Sequence, residues 1–418
     1  MNVLLLVVDA LRSDYLGCYG NGEVKTTEVD TLAREGVKFD QAISTATWTP
    51  PSTSAIISGI FPHKLGIYDF DTVFNPQIKT IFHYFLENDY EIGSYVFDEK
   101  YLFSKFDFAC VQGNFMDYTK PLNWIKKNKH KDFFLYLHYY WVHGPYEPQN
   151  SAEAWSKSNQ KLLAMLREDP EGVEKCKTLY KKAVEVMSEE WLAQILNTLK
   201  EEDILDDTLI VLTSDHGESW GERIKDKSTI RVNFDLHGRF LYDELLKIPL
   251  IFRMPKYLPA GITVKRQVRN IDIMPTIIDI AGISQSQITD GVSLKSMIFK
   301  EMDGKKDDKM DKNRGLQAVS SAPDVEGKTI MRQIAKISLR TLQWKLIWSL
   351  KESFEELYHL RDDPGETVNV AAEYTDVHRA LKALLEEELK KAPPEHIPRK
   401  EEQKIKDKIR ELRTHQKI

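Results

Sequence analysis

Cysteine is nearly missing from this chain: there are three in 418 residues. Cys18, Cys110 and Cys176 are odd in number and far apart, without the spacing of a metal knuckle. That argues against a disulfide framework, and a reducing compartment fits. Long apolar runs are missing as well. The stretch Val3 to Val8 is too short to span a bilayer and has no positively charged leader, so the sequence predicts neither a signal peptide nor a membrane partner. Nor is there a basic field, because the net charge is -6, which argues against nucleic acid as a partner. What the chain does hold is 42% hydrophobic residues, enough for a large core and a smaller second unit. A cytoplasmic, globular protein is the expectation.

Two apolar runs end in acids. Asn2 to Val8 reads as a fully buried strand that runs into Asp9, and Thr208 to Thr213 as another that runs into Ser214-Asp215-His216-Gly217-Glu218. In open parallel sheets ligands bind outside the carboxyl ends of the strands, so Asp9 and the Asp215-His216 pair can converge across some two hundred residues. Together they offer hard oxygens and an imidazole nitrogen to a divalent cation. For Asp9 taken alone, a turn or helix-cap residue is an equal reading. Between the two lies Thr49-Pro50-Pro51, where the prolines suit the opening of a helix and Gly59 its end. A hydroxyl at that N-terminus can serve as a nucleophile, and it can equally be an ordinary cap.

With these residues in view, the chain resembles the sulfatase-type members of the alkaline phosphatase superfamily. The likeness runs through Val8-Asp9-Ala10-Leu11-Arg12-Ser13-Asp14, the Thr49 segment with Phe61-Pro62-His63, and Phe133 to His138 leading to His143-Gly144-Pro145-Tyr146. It continues through the SDHGE segment, His237-Gly238, and Asp363-Pro364-Gly365-Glu366. The resemblance implies an alkaline-phosphatase-like, doubly wound α/β sheet with a small C-terminal α+β subdomain. It places Asp9, Thr49, Asp215 and His216 on one divalent metal ion, with Thr49 as the nucleophile. His143 and His237 fall where family members hold ester oxygens or assist the leaving group. His138, one strand-length step before His143, could support either role, but in an aromatic strand its default reading is a satisfied core residue. For a second ion, His143 and His237 have only His138, Asp235 or Glu218 as speculative company.

Three departures bear on the substrate. The Cys-x-Pro-x-Arg frame of sulfatases, whose cysteine becomes formylglycine, reads Thr49-Pro50-Pro51-Ser52-Thr53 here, and oxidation of a threonine would give a ketone. Ala10 replaces an acid, which leaves an ion site better suited to manganese or zinc than to calcium or magnesium. Ile92 to Phe97 has no Gly-Lys-Trp-His block. The reading that follows is a metal-dependent hydrolase of a phosphodiester or phosphonate monoester, acting on a small-molecule ester through an unmodified Thr49. The alternatives are a sulfuric ester hydrolase, a phosphoryl-group transferase and a non-catalytic binding relative.

Alternating patterns predict a helix over Ile78 to Leu86, strands over Glu91 to Phe97, Phe133 to Tyr140 and Ile248 to Met254, and one long helix from Val173 to Leu199. The catalytic domain is expected over 1–325, with a charged surface insertion near 300–314. The small subdomain follows at 326–392, with strands Thr329 to Ile337 and Gln343 to Ser349 and a helix from Val377 to Lys390. In the charged tail, 393–418, Ile405, Ile409 and Leu412 fall at helical spacing. That leaves two alternatives, a helix docking on a neighbouring copy in a homo-oligomer or a frayed terminus.

Overall fold

The computed structural model describes residues 1–68, 74–75, 77–96, 111–114, 119–147, 152–224, 236–302, 317–326, 329–352 and 354–392. Nine described strands form the larger sheet: β1 (Asn2–Val8), β2 (Val37–Ile43), β3 (Glu91–Val96), β4 (Val111–Asn114), β5 (Phe133–Tyr139), β6 (Thr208–Ser214), β7 (Lys247–Ile248), β8 (Leu250–Arg253) and β9 (Ile262–Arg269). Their order is β4-β3-β5-β1-β6-β8-β2, with β7 and β9 also paired to β2. All neighbours run parallel except β7 and β8, which run against theirs.

β1, β5 and β6 lie side by side at the centre, and every residue of the three is buried. Covering both faces requires two helical layers, and the pleat sorts the side chains between them. Leu4, Leu6 and Val8 point into a core completed by Val184, Leu192 and Ile195, while Val3, Leu5 and Val7 meet Ile56, Phe82, Phe85 and Ile277. The register decides what meets at the carboxyl edge. Val8 pairs with both Tyr139 and Ser214, and Val7 with His138. The exits of β1 and β6 and the end of β5 therefore open onto one spot.

Several expected boundaries shift for local reasons. The strand expected over Ile248 to Met254 is interrupted at Pro249, which has no N–H to give the ladder, and becomes β7 and β8. The long helix is α-helical over Gly172–Val186 and Ala193–Glu201, with a wider π turn over Met187–Leu192. That turn keeps Met187, Trp191 and Leu192 all on the core side, where Trp191 packs on Tyr139. The helix expected from Ile78 begins at Ile81, behind a Thr80–His83 capping box.

The second sheet is antiparallel, in chain order: β10 (Ala318–Glu326), β11 (Thr329–Arg340), β12 (Trp344–Ser349) and β13 (Phe354–His359). The helix Thr375–Leu389 packs on it through Leu381, Leu385 and Leu389. β10 begins ahead of the boundary expected at 326, and β13 was not expected. The sheet is tied to the larger one beside the Thr49 segment: Ser321 N–H donates to Thr45 O, and Ser320 Oγ to Ser44 O at 2.7 Å. Most of the charged insertion, from 303 onward, and the tail from 393 lie outside the described residues. Among the described residues no helix is long and apolar enough to cross a membrane.

Candidate active site

Asp9 leaves β1 fully buried, and the next residue, Ala10, has a φ of 59°. A left-handed backbone at a non-glycine residue costs about 1–3 kcal/mol and persists only where the surroundings enforce it. Here it aims the Ala10 N–H at Asp215 Oδ1, 3.2 Å away, and the Asp215 carboxylate also takes the His216 N–H at 2.8 Å. Both bonds fall on Oδ1, so Oδ2 of Asp215 is left to face the site.

Thr49 is the first residue of a helix, Thr49–Ser58, with prolines in its first turn and Gly59 closing it at a φ of 68°. The expected helix start is thus observed. Trp48 precedes it without a side-chain cap bond, so Thr49 is not the cap. Its Oγ1 stands 3.4 Å from Asp9 Oδ2 and 3.4 Å from His216 Nε2. The helix is pinned to the same strand end: Ser52 Oγ and Ser44 Oγ each donate to Asp215 O at 2.5 Å, and Asn270 Nδ2 donates to Ser52 Oγ at 3.0 Å.

The expectation for His138 is overturned. Its Nε2 is buried without a hydrogen-bond partner, 3.8 Å from both Asp9 Oδ2 and Asp215 Oδ2. Asp9 Oδ1 and Asp215 Oδ2 are buried and unpartnered too. An unsatisfied buried polar atom costs about 1–3 kcal/mol, so three in one place are not incidental. Ligand atoms of Asp9, His138 and Asp215 lie within 4.8 Å of one another. His216 Nε2 stands 3.5 Å from Asp9 Oδ1 and from Asp215 Oδ2, while its Nδ1 donates to Gly217 O at 2.7 Å. Two buried carboxylates and two imidazole nitrogens, three of whose atoms lack a hydrogen-bond partner, fit a divalent cation of the borderline, nitrogen-accepting kind.

The charges agree. Burial first, then Asp215 and Glu218, push the Asp9 carboxyl well above the usual carboxylate range. Burial acts the same way on Asp215, but His216, His138 and the two amides outweigh it and hold that carboxyl low. A cation between the two acids would remove the conflict at Asp9. Burial also lowers His138, which keeps a free lone pair for a ligand.

Beside this cluster, His143 Nε2 lies 3.3 Å from His237 Nε2, and the His237 ring stacks on His216 with centroids 4.9 Å apart. Burial first, then the neighbouring histidine charges, bring both His143 and His237 down to about 3. Glu218 is fully buried against His237 Nδ1 at 3.1 Å, and burial pushes it up to about 7. The structure therefore brings Asp9, Thr49, Asp215, His216, His143 and His237 together and adds His138 and Glu218. Asp235 lies outside the described residues.

The sulfatase family model matches residues 1–283. The chain belongs to the sulfatase family. A model of the N-sulphoglucosamine sulphohydrolase C-terminal region matches 233–392. The N-acetylglucosamine-6-O-sulfatase of Bacteroides thetaiotaomicron is 23% identical, over 92% of this chain and 86% of its own. A structure solved with its substrate D-glucosamine-2-N,6-O-disulfate shares the fold with a TM-score of 0.72 at 21% identity, covering 93% of this chain and 97% of that one. The phosphonate monoester hydrolase of Agrobacterium radiobacter does so with a TM-score of 0.71 at 17% identity, covering 93% and 95%. The chain is thus an ester hydrolase of the alkaline phosphatase superfamily, and sulfatase-family members bind a divalent metal ion. Because sulfatases predominate among these relatives, they support the sulfuric-ester alternative better than the phosphodiester reading.

Proposed function

We propose that this chain is a metal-dependent hydrolase of small-molecule sulfate esters in which the Thr49 hydroxyl, unmodified, meets the tetrahedral centre. The observation that carries the site is the position of Thr49 Oγ1, at a helix N-terminus and 3.4 Å from both Asp9 and His216. What favours sulfate is the family and the names of its relatives.

Asp9, Asp215, His216 and His138 would hold the cation, with Thr49 beside them. A divalent ion there lowers the pKa of a nearby hydroxyl and draws charge from an ester oxygen. The chain supplies the rest. The helix dipole at Thr49 favours a developing alkoxide and an anion in front of it. Ser52 and Asn270 fix that helix against Asp215, so the hydroxyl does not have to be oriented when the ester arrives. His143 and His237 form the buried imidazole pair beside the site through which a proton can pass to or from the departing alcohol.

A second reading, hydrolysis of a phosphonate monoester or phosphodiester, is favoured by Thr49 itself. A threonine ester cannot collapse to a carbonyl as a formylglycine hydrate can, so a second attack must clear it, and phosphorus accepts that attack more readily than sulfur. A panel of chromogenic sulfate esters, phosphonate monoesters and phosphodiesters, run with manganese, zinc, calcium and magnesium, separates the two. Fastest turnover on a sulfate ester supports the first reading. Turnover confined to phosphorus esters replaces it with the second, and no turnover on any of them removes both.

A further inference from the structure

Glu218 closes the SDHGE segment with its side chain fully buried. Both of its carboxylate oxygens and its carbonyl are engaged. Tyr146 O–H donates to Oε2 at 3.2 Å, Oε1 lies 3.1 Å from His237 Nδ1, and the Arg12 guanidinium donates to the Glu218 carbonyl at 3.0 Å. Tyr146 is itself held in a left-handed backbone, with a φ of 67°, a conformation that persists only where its surroundings enforce it. A carboxylate placed so firmly against one ring nitrogen decides which nitrogen carries the hydrogen.

We infer that Glu218 is the positioning residue of His237: it accepts the Nδ1 hydrogen and so leaves the Nε2 lone pair bare, facing His143 beside the ester site. This deepens the hydrolase reading above and rests on it for its functional consequence. His143 is fixed in the same sense by a different device, its Nδ1 donating to Gly144 O at 2.7 Å. With both Nδ1 hydrogens committed, two lone pairs face each other across 3.3 Å. Such a pair must first take up a hydrogen before it can return one to the departing oxygen. It receives a single hydrogen between the two nitrogens, which makes it a proton acceptor beside the ester and not a clamp of two N–H donors on its oxygens.

Nitrogen-15 NMR of histidine side chains reads the tautomer directly and needs no substrate. In the zinc- or magnesium-loaded chain, the His237 signal, assigned by its loss in His237→Gln, should show a protonated Nδ1 and a bare Nε2. Glu218→Leu should shift it toward the Nε2–H form that is common in water, lower kcat by roughly 100-fold and leave KM within a few-fold, with metal content unchanged. Glu218→Gln, which keeps an acceptor oxygen, should retain the native tautomer and recover kcat to within about tenfold of native. If Glu218→Leu does not fold, the native spectrum and Glu218→Gln still decide. Hydrogen on Nε2 in the native chain overturns the inference, as does a Glu218→Leu chain with native tautomer and native kcat. A native tautomer as expected in a chain that hydrolyses no ester would instead overturn the hydrolase reading and leave the positioning by Glu218 standing.

Discussion

His138 is the residue whose reading changed most between sequence and structure, and it makes a sharp test. A satisfied core histidine could be replaced with little effect on bound metal. An unpartnered Nε2 between two buried carboxylates could not. His138→Ala should therefore lower the metal bound per chain, as Asp9→Asn and Asp215→Asn should, in elemental analysis after dialysis. Metal content equal to native in His138→Ala would return the residue to a packing role. His143→Ala and His237→Ala should do the opposite, keeping the metal while turnover falls by roughly a hundred- to ten-thousand-fold. If either halved the metal of a chain that starts with two ions, these histidines would be ligands of a second ion. At Thr49 only the oxygen is needed. Thr49→Ser should stay within about tenfold of native while Thr49→Ala falls by roughly a thousandfold, and the intact mass should show an unmodified threonine.

Among the elements, β1 and β6 and the Thr49 helix were legible because their signals are local. Continuous burial marked the strands, and two prolines and a glycine marked the helix. His138 was not, since its role comes from the register of β5 on β1, which no stretch of sequence encodes. The Glu218–His237 bond was legible only as speculative company at a second ion, because it joins residues nineteen positions apart in the chain that the fold brings together. β13 (FEELYH) and β10 carry little alternation, and packing on their neighbours makes them strands. A charge cluster also ties the smaller sheet to the short helix Asp243–Leu246 that leads into β7. Asp243 accepts Arg340 Nη2 at 2.7 Å and Lys345 Nζ at 2.9 Å. Burial alone would raise this carboxyl, but Arg340 and Lys345 overcome it and hold it far below the usual range. A depressed carboxyl stabilises above its unfolded pKa, near 3.9, and loses that contribution as pH falls through the folded value. Asp243→Asn should then cost about 3 kcal/mol at neutral pH, since it leaves two buried cations short of a partner. The difference from native should shrink below roughly pH 4. Urea melts at pH 7 and pH 3 check this, and an equal difference at both would contradict it.

Across the whole molecule, the larger sheet supplies the cation cluster and the smaller one braces the segment before Thr49 through Ser320 and Ser321. Family membership makes the chain an ester hydrolase, the solved structures share its fold, and a cation held between Asp9 and Asp215 would reconcile the two carboxyls. The most direct measurement of that account is the initial rate of hydrolysis of 4-nitrophenyl sulfate by one preparation in three states: as purified, stripped by chelation, and reloaded with manganese or zinc, each beside Thr49→Ala. The account predicts hydrolysis that disappears on stripping, returns on reloading, and stays at least roughly a hundredfold lower throughout in Thr49→Ala. A stripped chain as fast as the purified one, or a Thr49→Ala chain as fast as native, would contradict it.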